Sequence, residues 1–132
     1  MIRTKLVQQL PAATIVMELS EGNEQIMPIS LLVPIALSAA ATALLRVTVI
    51  DTQASVTIWD VTKSITVAAG TSITLNGHPS TAGPDAAGVL GEGIVVPIPE
   101  IMRGGDTITI SVAVSAGAAT IDAAVLRMLV QK

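Results

Sequence analysis

A two-residue period of apolar side chains recurs along most of this chain, and it restricts the fold more than any other feature. In DTITISVAVSAG, which begins at Asp106, Ile108, Ile110, Val112 and Val114 share one parity while Thr107, Thr109 and Ser111 take the other. Successive side chains of a strand point to opposite faces, so this alternation predicts a strand with one side on a core. TIVMELS reads the same way: Ile15, Met17 and Leu19 share a face opposite Thr14, Glu18 and Ser20. In LLRVTVIDTQ, Leu45, Val47 and Val49 alternate with Arg46 and Thr48. Val, Ile and Thr, stiff at their first torsion, dominate these runs and suit a pleated surface.

The remaining runs complete a set of about eight strands. QIMPISLLVPIAL keeps Ile29, Leu31, Val33, Ile35 and Leu37 on one parity through Pro28 and Pro34. Proline cannot donate to a ladder, so a sheet edge or bulges are expected there. SVTIWDVT, SITVAAG and TSITLNG follow with close turns, IVVPIPEIM carries Pro97 and Pro99, and RGGD at 103–106 reads as a tight turn. ATIDAAVLRMLVQK differs in being apolar on both parities, with Ile121, Ala123, Val125 and Leu129 on one side and Leu126, Met128 and Val130 on the other. A strand with two apolar faces is buried on both, so this one is expected to be central or to meet another subunit. Residues 1–12 read as an extended N-terminal arm. Residues 76–93, with five glycines and two prolines, read as one long loop. The expected fold is a single all-β domain over 1–132, an antiparallel two-sheet sandwich of about eight strands with jelly-roll-like connectivity.

Composition bears on what such a domain does. The chain is 51% hydrophobic and only 13% charged, about half the charged fraction of an ordinary soluble domain, roughly 25%. A membrane, an aggregated state or a protomer covered by partners would each account for that. The segment from Ile26 to Leu45 is twenty residues without a charge, the length of a membrane-spanning helix. Pro28 and Pro34 break such a helix and Ser30, Ser38 and Thr42 dilute it, so the favoured reading is a strand through about Leu37, a turn or short helical stretch at SAAATA and a second strand. MIRTKLVQQLP lacks the continuous apolar stretch of a secretory signal. The absence of cysteine removes disulfides and thiolate metal sites, and a net charge of −3 with seven scattered basic residues argues against nucleic acid as a partner.

Residues able to do chemistry are few. His78, the single histidine, lies in the expected loop without a second His or a Cys to build a nucleophilic or zinc site. Asp51, Asp60, Asp85, Asp106 and Asp122 are isolated, and those in turns suit backbone capping. Gly88, Gly91 and Gly93 lead into a strand rather than a helix, so no phosphate cradle is expected. Trp59, the one aromatic, has the parity of Thr57 and Val61, opposite Val56 and Ile58. It is expected either to cap the sandwich edge or to anchor a subunit contact. No enzyme activity, metal or cofactor is expected.

The RGGD turn running into TITISVAV, with the Ala, Thr, Val and Ile bias and near absence of aromatics, resembles the later strands of small viral jelly-roll proteins. It is similar to bacteriophage virion proteins, in particular capsid decoration or cement proteins. That resemblance implies a subunit that oligomerises, often as a trimer, and binds virion proteins such as a major capsid protein. It also implies location in the virion after assembly in the host cytoplasm. The expected contact residues are Trp59, Leu126, Met128, Val130, His78 and Asp85. The alternative is a sandwich module that recognises a glycan or peptide through its long loop.

Overall fold

Alternating side chains do build strands, and the computed structural model, which describes residues 1–19, 24–68, 72–79 and 94–131, arranges them in two sheets. Ten strands occur among the described residues: β1 (Ile2–Ala12), β2 (Thr14–Glu18), β3 (Gln25–Leu37), β4 (Ala41–Asp51), β5 (Val56–Val67), β6 (Ser72–Pro79), β7 (Ile94–Ile98), β8 (Met102–Arg103), β9 (Thr107–Val114) and β10 (Ala119–Gln131). The first sheet runs β1-β10-β3-β6-β7, with β8 also paired to β3. The second runs β2-β9-β4-β5.

This connectivity is a jelly roll. The chain crosses between the sheets from β1 to β4, adds β5 beside β4, and returns with β6 beside β3. The last two long strands then insert between earlier ones, β9 between β2 and β4 and β10 between β1 and β3. Setting aside β7 and β8, eight strands fill the double Greek-key pattern. One pairing departs from the antiparallel expectation, because β7 runs parallel to β6. A parallel pair needs a crossover connection; residues 80–93, between the two strands in sequence, lie outside the described residues.

The inward faces meet in one apolar core. Ile15 and Met17 of β2, Leu31, Val33 and Ile35 of β3, Leu45, Val47 and Val49 of β4 and Ile108 and Ile110 of β9 are all buried, as their parity requires. Turn chemistry also follows the sequence. Asp51 Oδ1 accepts hydrogen bonds from the Gln53 and Ala54 amides at 3.0 and 3.3 Å, holding the β4–β5 turn. Asp106, buried in the RGGD turn, accepts from the Arg103 amide at 3.0 Å. Gly117 has φ +69°, and a Cβ there would stand 2.6 Å from Ser38 Oγ, so the β9–β10 turn requires glycine.

Three expectations need correction. Residues 1–12 are β1, paired along β10 from Ile2↔Leu129 to Ala12↔Ile121 rather than left as an arm. The VTIWDVT and SITV of the two expected strands form the single strand β5, Val56–Val67. Residues 76–79 of the expected loop continue β6, where Asn76 and Gly77 pair with Leu32 and Leu31. The uncharged run from Ile26 to Leu45 is β3, a bend at 38–40 and β4. Among the described residues no helix is long and apolar enough to cross a membrane.

Both long openings between the sheets are bridged by one side chain. At one, Lys5 Nζ of β1 donates to the Glu18 carbonyl of β2. At the other, Trp59 Nε1 of β5 donates to the Pro97 carbonyl of β7 at 3.2 Å. Lys5 and Lys63 sit on the inward parity of the edge strands β1 and β5. Inward charges on edge strands discourage pairing with other chains.

Candidate interaction face

The strand β10 decides which surface remains for contact. Its register against β3 shifts between Ile121↔Ile35 and Val125↔Leu32. That bulge switches the inward parity, so Ile121 points in before it and Ala124, Leu126, Met128 and Val130 point in after it. The two apolar parities therefore do not mean two buried faces along the whole strand. Leu126, Met128 and Val130 are 0%, 3% and 6% exposed and belong to the core cluster. They offer no surface to another subunit, contrary to expectation.

For Trp59 the structure favours the first of the two expectations, a cap at the sandwich edge. The β4–β5 register shifts between Val49↔Trp59 and Ile50↔Thr57, leaving Ile58 as the extra residue. Trp59 therefore joins Val61 and Val67 on the inward side and packs against the core, while Val56 and Ile58 stand about half exposed at 51% and 49%. It caps the sandwich edge. His78 is exposed at the end of β6, and Asp85 lies outside the described residues.

What sequence reasoning missed is the outer side of the first sheet. There Leu6 of β1, Val125 of β10 and Leu32 of β3 stand side by side, as do Ile2, Leu129 and Met27. Ile2, Leu6 and Leu32 are 62%, 53% and 45% exposed, and Val125, Leu129 and Met27 are half-buried. Between the two apolar rows runs a polar row of Thr4, Arg127 and Ser30. A shallow depression of about 190 Å³ borders it, lined by Arg127, Ser30, Leu32, Val125, Asn76 and His78 among others. The only signal of this face in the sequence is the second apolar parity of β10.

The outer side of the second sheet is different in kind. It presents Thr14, Thr42, Thr62, Ser64 and Thr66 exposed, with Val16, Leu44 and Ile58 as scattered apolar residues at 43%, 46% and 49%. On it Arg46 holds Asp60 through two bonds, Nε to Oδ1 at 2.9 Å and Nη2 to Oδ2 at 2.7 Å. The hydrogen bond from Arg46 keeps the Asp60 carboxyl below the usual carboxylate range. Such a surface is well solvated as it stands.

Compared with protein-family models, curated proteins and solved structures, the chain matches none. The site therefore has to be read from its own geometry. Among the described residues no three His, Asp or Glu side chains gather as metal ligands. Arg3 approaches Glu24 at 3.8 Å beside the β2–β3 connection, and Glu24 Oε2 is buried without a hydrogen bond among the described residues. Arg127 and Asp122, in contrast, are exposed on β10 and form no ion pair among the described residues.

Proposed function

We propose that this chain is a viral, bacteriophage-type structural protein that oligomerises and stabilises a capsid or forms part of the neck, tail or fibre. The observation that supports this reading is the outer side of the first sheet, where two apolar rows lie open, whereas the exposed apolar residues of the other side are scattered among Thr and Ser. Exposed apolar patches rimmed by polar groups mark contact surfaces. The role is one of mass action, in which each contact stabilises the assembled state. It requires no catalytic group, cofactor or metal.

The test has two parts. Detergent-free sedimentation of the purified chain should give a defined oligomer. Co-expression with the major capsid protein encoded by a neighbouring reading frame should place the chain in the shell fraction of a gradient. A monomer that never migrates with shells overturns the reading.

A further inference from the structure

We infer that the outer side of the first sheet is a self-contact, joining two copies of this chain face to face about a two-fold axis that runs across the strands at the Leu6–Val125–Leu32 row. This rests on the self-assembly reading above and names the surface and the symmetry.

The pattern on β10 carries it. A two-fold contact must be self-complementary, with each residue meeting its counterpart's partner. Arg127 lies two residues from Val125 along β10, about 7 Å at the rise of a strand. Asp122, exposed at the bulge, lies three residues away on the other side of Val125, about 7–10 Å with the extra residue folded into the bulge. A half-turn about the Val125 row therefore sets Arg127 of each copy against Asp122 of the other, twice over. Neither side chain has an ion-pair partner among the described residues. Between the two pairs, Leu6, Val125 and Leu32 of one copy cover the same row of the other.

Size and surroundings agree. Four strands about 4.8 Å apart and some eight residues long present roughly 500 Å² per copy, or roughly 1,000 Å² in total. That is the lower limit of a specific interface, with aligned packing of the two sheets as its geometry. On the other side of the molecule the exposed apolar residues Val16, Leu44 and Ile58 fall on different rows among Thr, Ser and Ala rather than side by side. A two-fold contact builds dimers, alone or within a larger even-numbered assembly, and not the simple trimer implied by the resemblance.

Charge reversal tests this at exposed positions that the fold does not use. Arg127→Asp alone opposes two acids across each contact, and Asp122→Arg alone opposes two bases. Each variant should unfold at the wild-type temperature yet dissociate about 100-fold more readily, since like charges across an interface cost several kcal/mol. An equimolar mixture of the two variants restores both opposite-charge pairs and should sediment as a dimer again. If the wild type associates and both variants keep its size, the contact lies elsewhere, and this inference fails while self-assembly stands. If the wild type stays monomeric up to about 100 μM, this inference fails, and the structural reading fails with it when the chain also never migrates with shells.

Discussion

Adding one methyl group at Gly77 sets two effects of opposite sign against each other. Glycine inside a strand costs about 0.5–1 kcal/mol relative to alanine because it loses more backbone freedom on folding, so entropy alone favours Gly77→Ala. Gly77 is buried in β6, between Leu31 of β3 and Val96 of β7. A Cβ there would stand 2.9 Å from Leu31 Cβ and 3.0 Å from Ile98 Cγ2. Leu31 Cβ is fixed to a strand paired on both sides and cannot retreat without moving the backbone. Ile98 sits on the edge strand β7 and can shift, though it is only 2% exposed. Overpacking of this kind costs about 1–3 kcal/mol. Crowding outweighs the gain in entropy, and Gly77→Ala should destabilise the domain by about 1–2 kcal/mol.

Urea unfolding followed by Trp59 fluorescence measures this directly. The midpoint should fall with an unchanged slope, and the melting temperature should drop by about 4 °C per kcal/mol for a domain of this size. Ile98→Leu removes the branching Cγ2, so Gly77→Ala should cost less in that background. A Gly77→Ala variant as stable as the wild type would refute the close approach of β3, β6 and β7. A coupling energy of zero with Ile98→Leu would place the strain on Leu31 alone.

Other positions separate core from surface. Leu126→Ala should cost about 2–5 kcal/mol in chemical unfolding, while Leu32→Ala on the outer side should stay within about 0.5 kcal/mol; equal losses would refute the assignment of inner and outer faces in the first sheet. Trp59→Phe keeps most of the apolar contact but forfeits the hydrogen bond to Pro97, so it should destabilise by about 1 kcal/mol and expose the β5–β7 opening to faster amide exchange than elsewhere. Because the folded state lowers the Asp60 pKa, its pairing with Arg46 supports stability above the ordinary carboxylate range and loses that support as pH falls through the lowered value. Asp60 is well exposed, so Asp60→Asn should flatten the acid side of the melting-temperature profile by no more than a few degrees.

How far the sequence could be read depends on where strands stay regular. The inward residues of β2, β4 and β9 follow from parity alone because those strands carry an unbroken alternation through the core. At Trp59 and in β10, one extra residue reverses the parity, and nothing in the local sequence places a bulge. Ile29 illustrates the same limit: the β3 register shifts beside Pro28, so Ile29 is 38% exposed although it shares the parity of Leu31 and Val33. β1 was hidden for another reason. Its inward positions include Arg3 and Lys5, so its pattern looks polar where other strands look apolar. Of the outer rows of the first sheet, only the β10 residues left a signal in the sequence, its second apolar parity, since β1, β3 and β10 become neighbours only through the jelly-roll order.

That order also determines how a self-contact would act. The core is complete within one chain: buried residues from both sheets fill it, and Lys5 and Trp59 bridge the two long openings. With such a core, the proposed contact would be an association of folded monomers rather than an obligate interface. At roughly 1,000 Å² a single such contact would be weak, because much of the gain from burial offsets lost translational and rotational freedom. Once one copy is held by a second surface, its neighbour is met at high effective concentration, and the same small contact becomes durable through repetition. The Arg127–Asp122 pairs then serve register more than affinity, since they oppose any slide of one copy along the strands of the other.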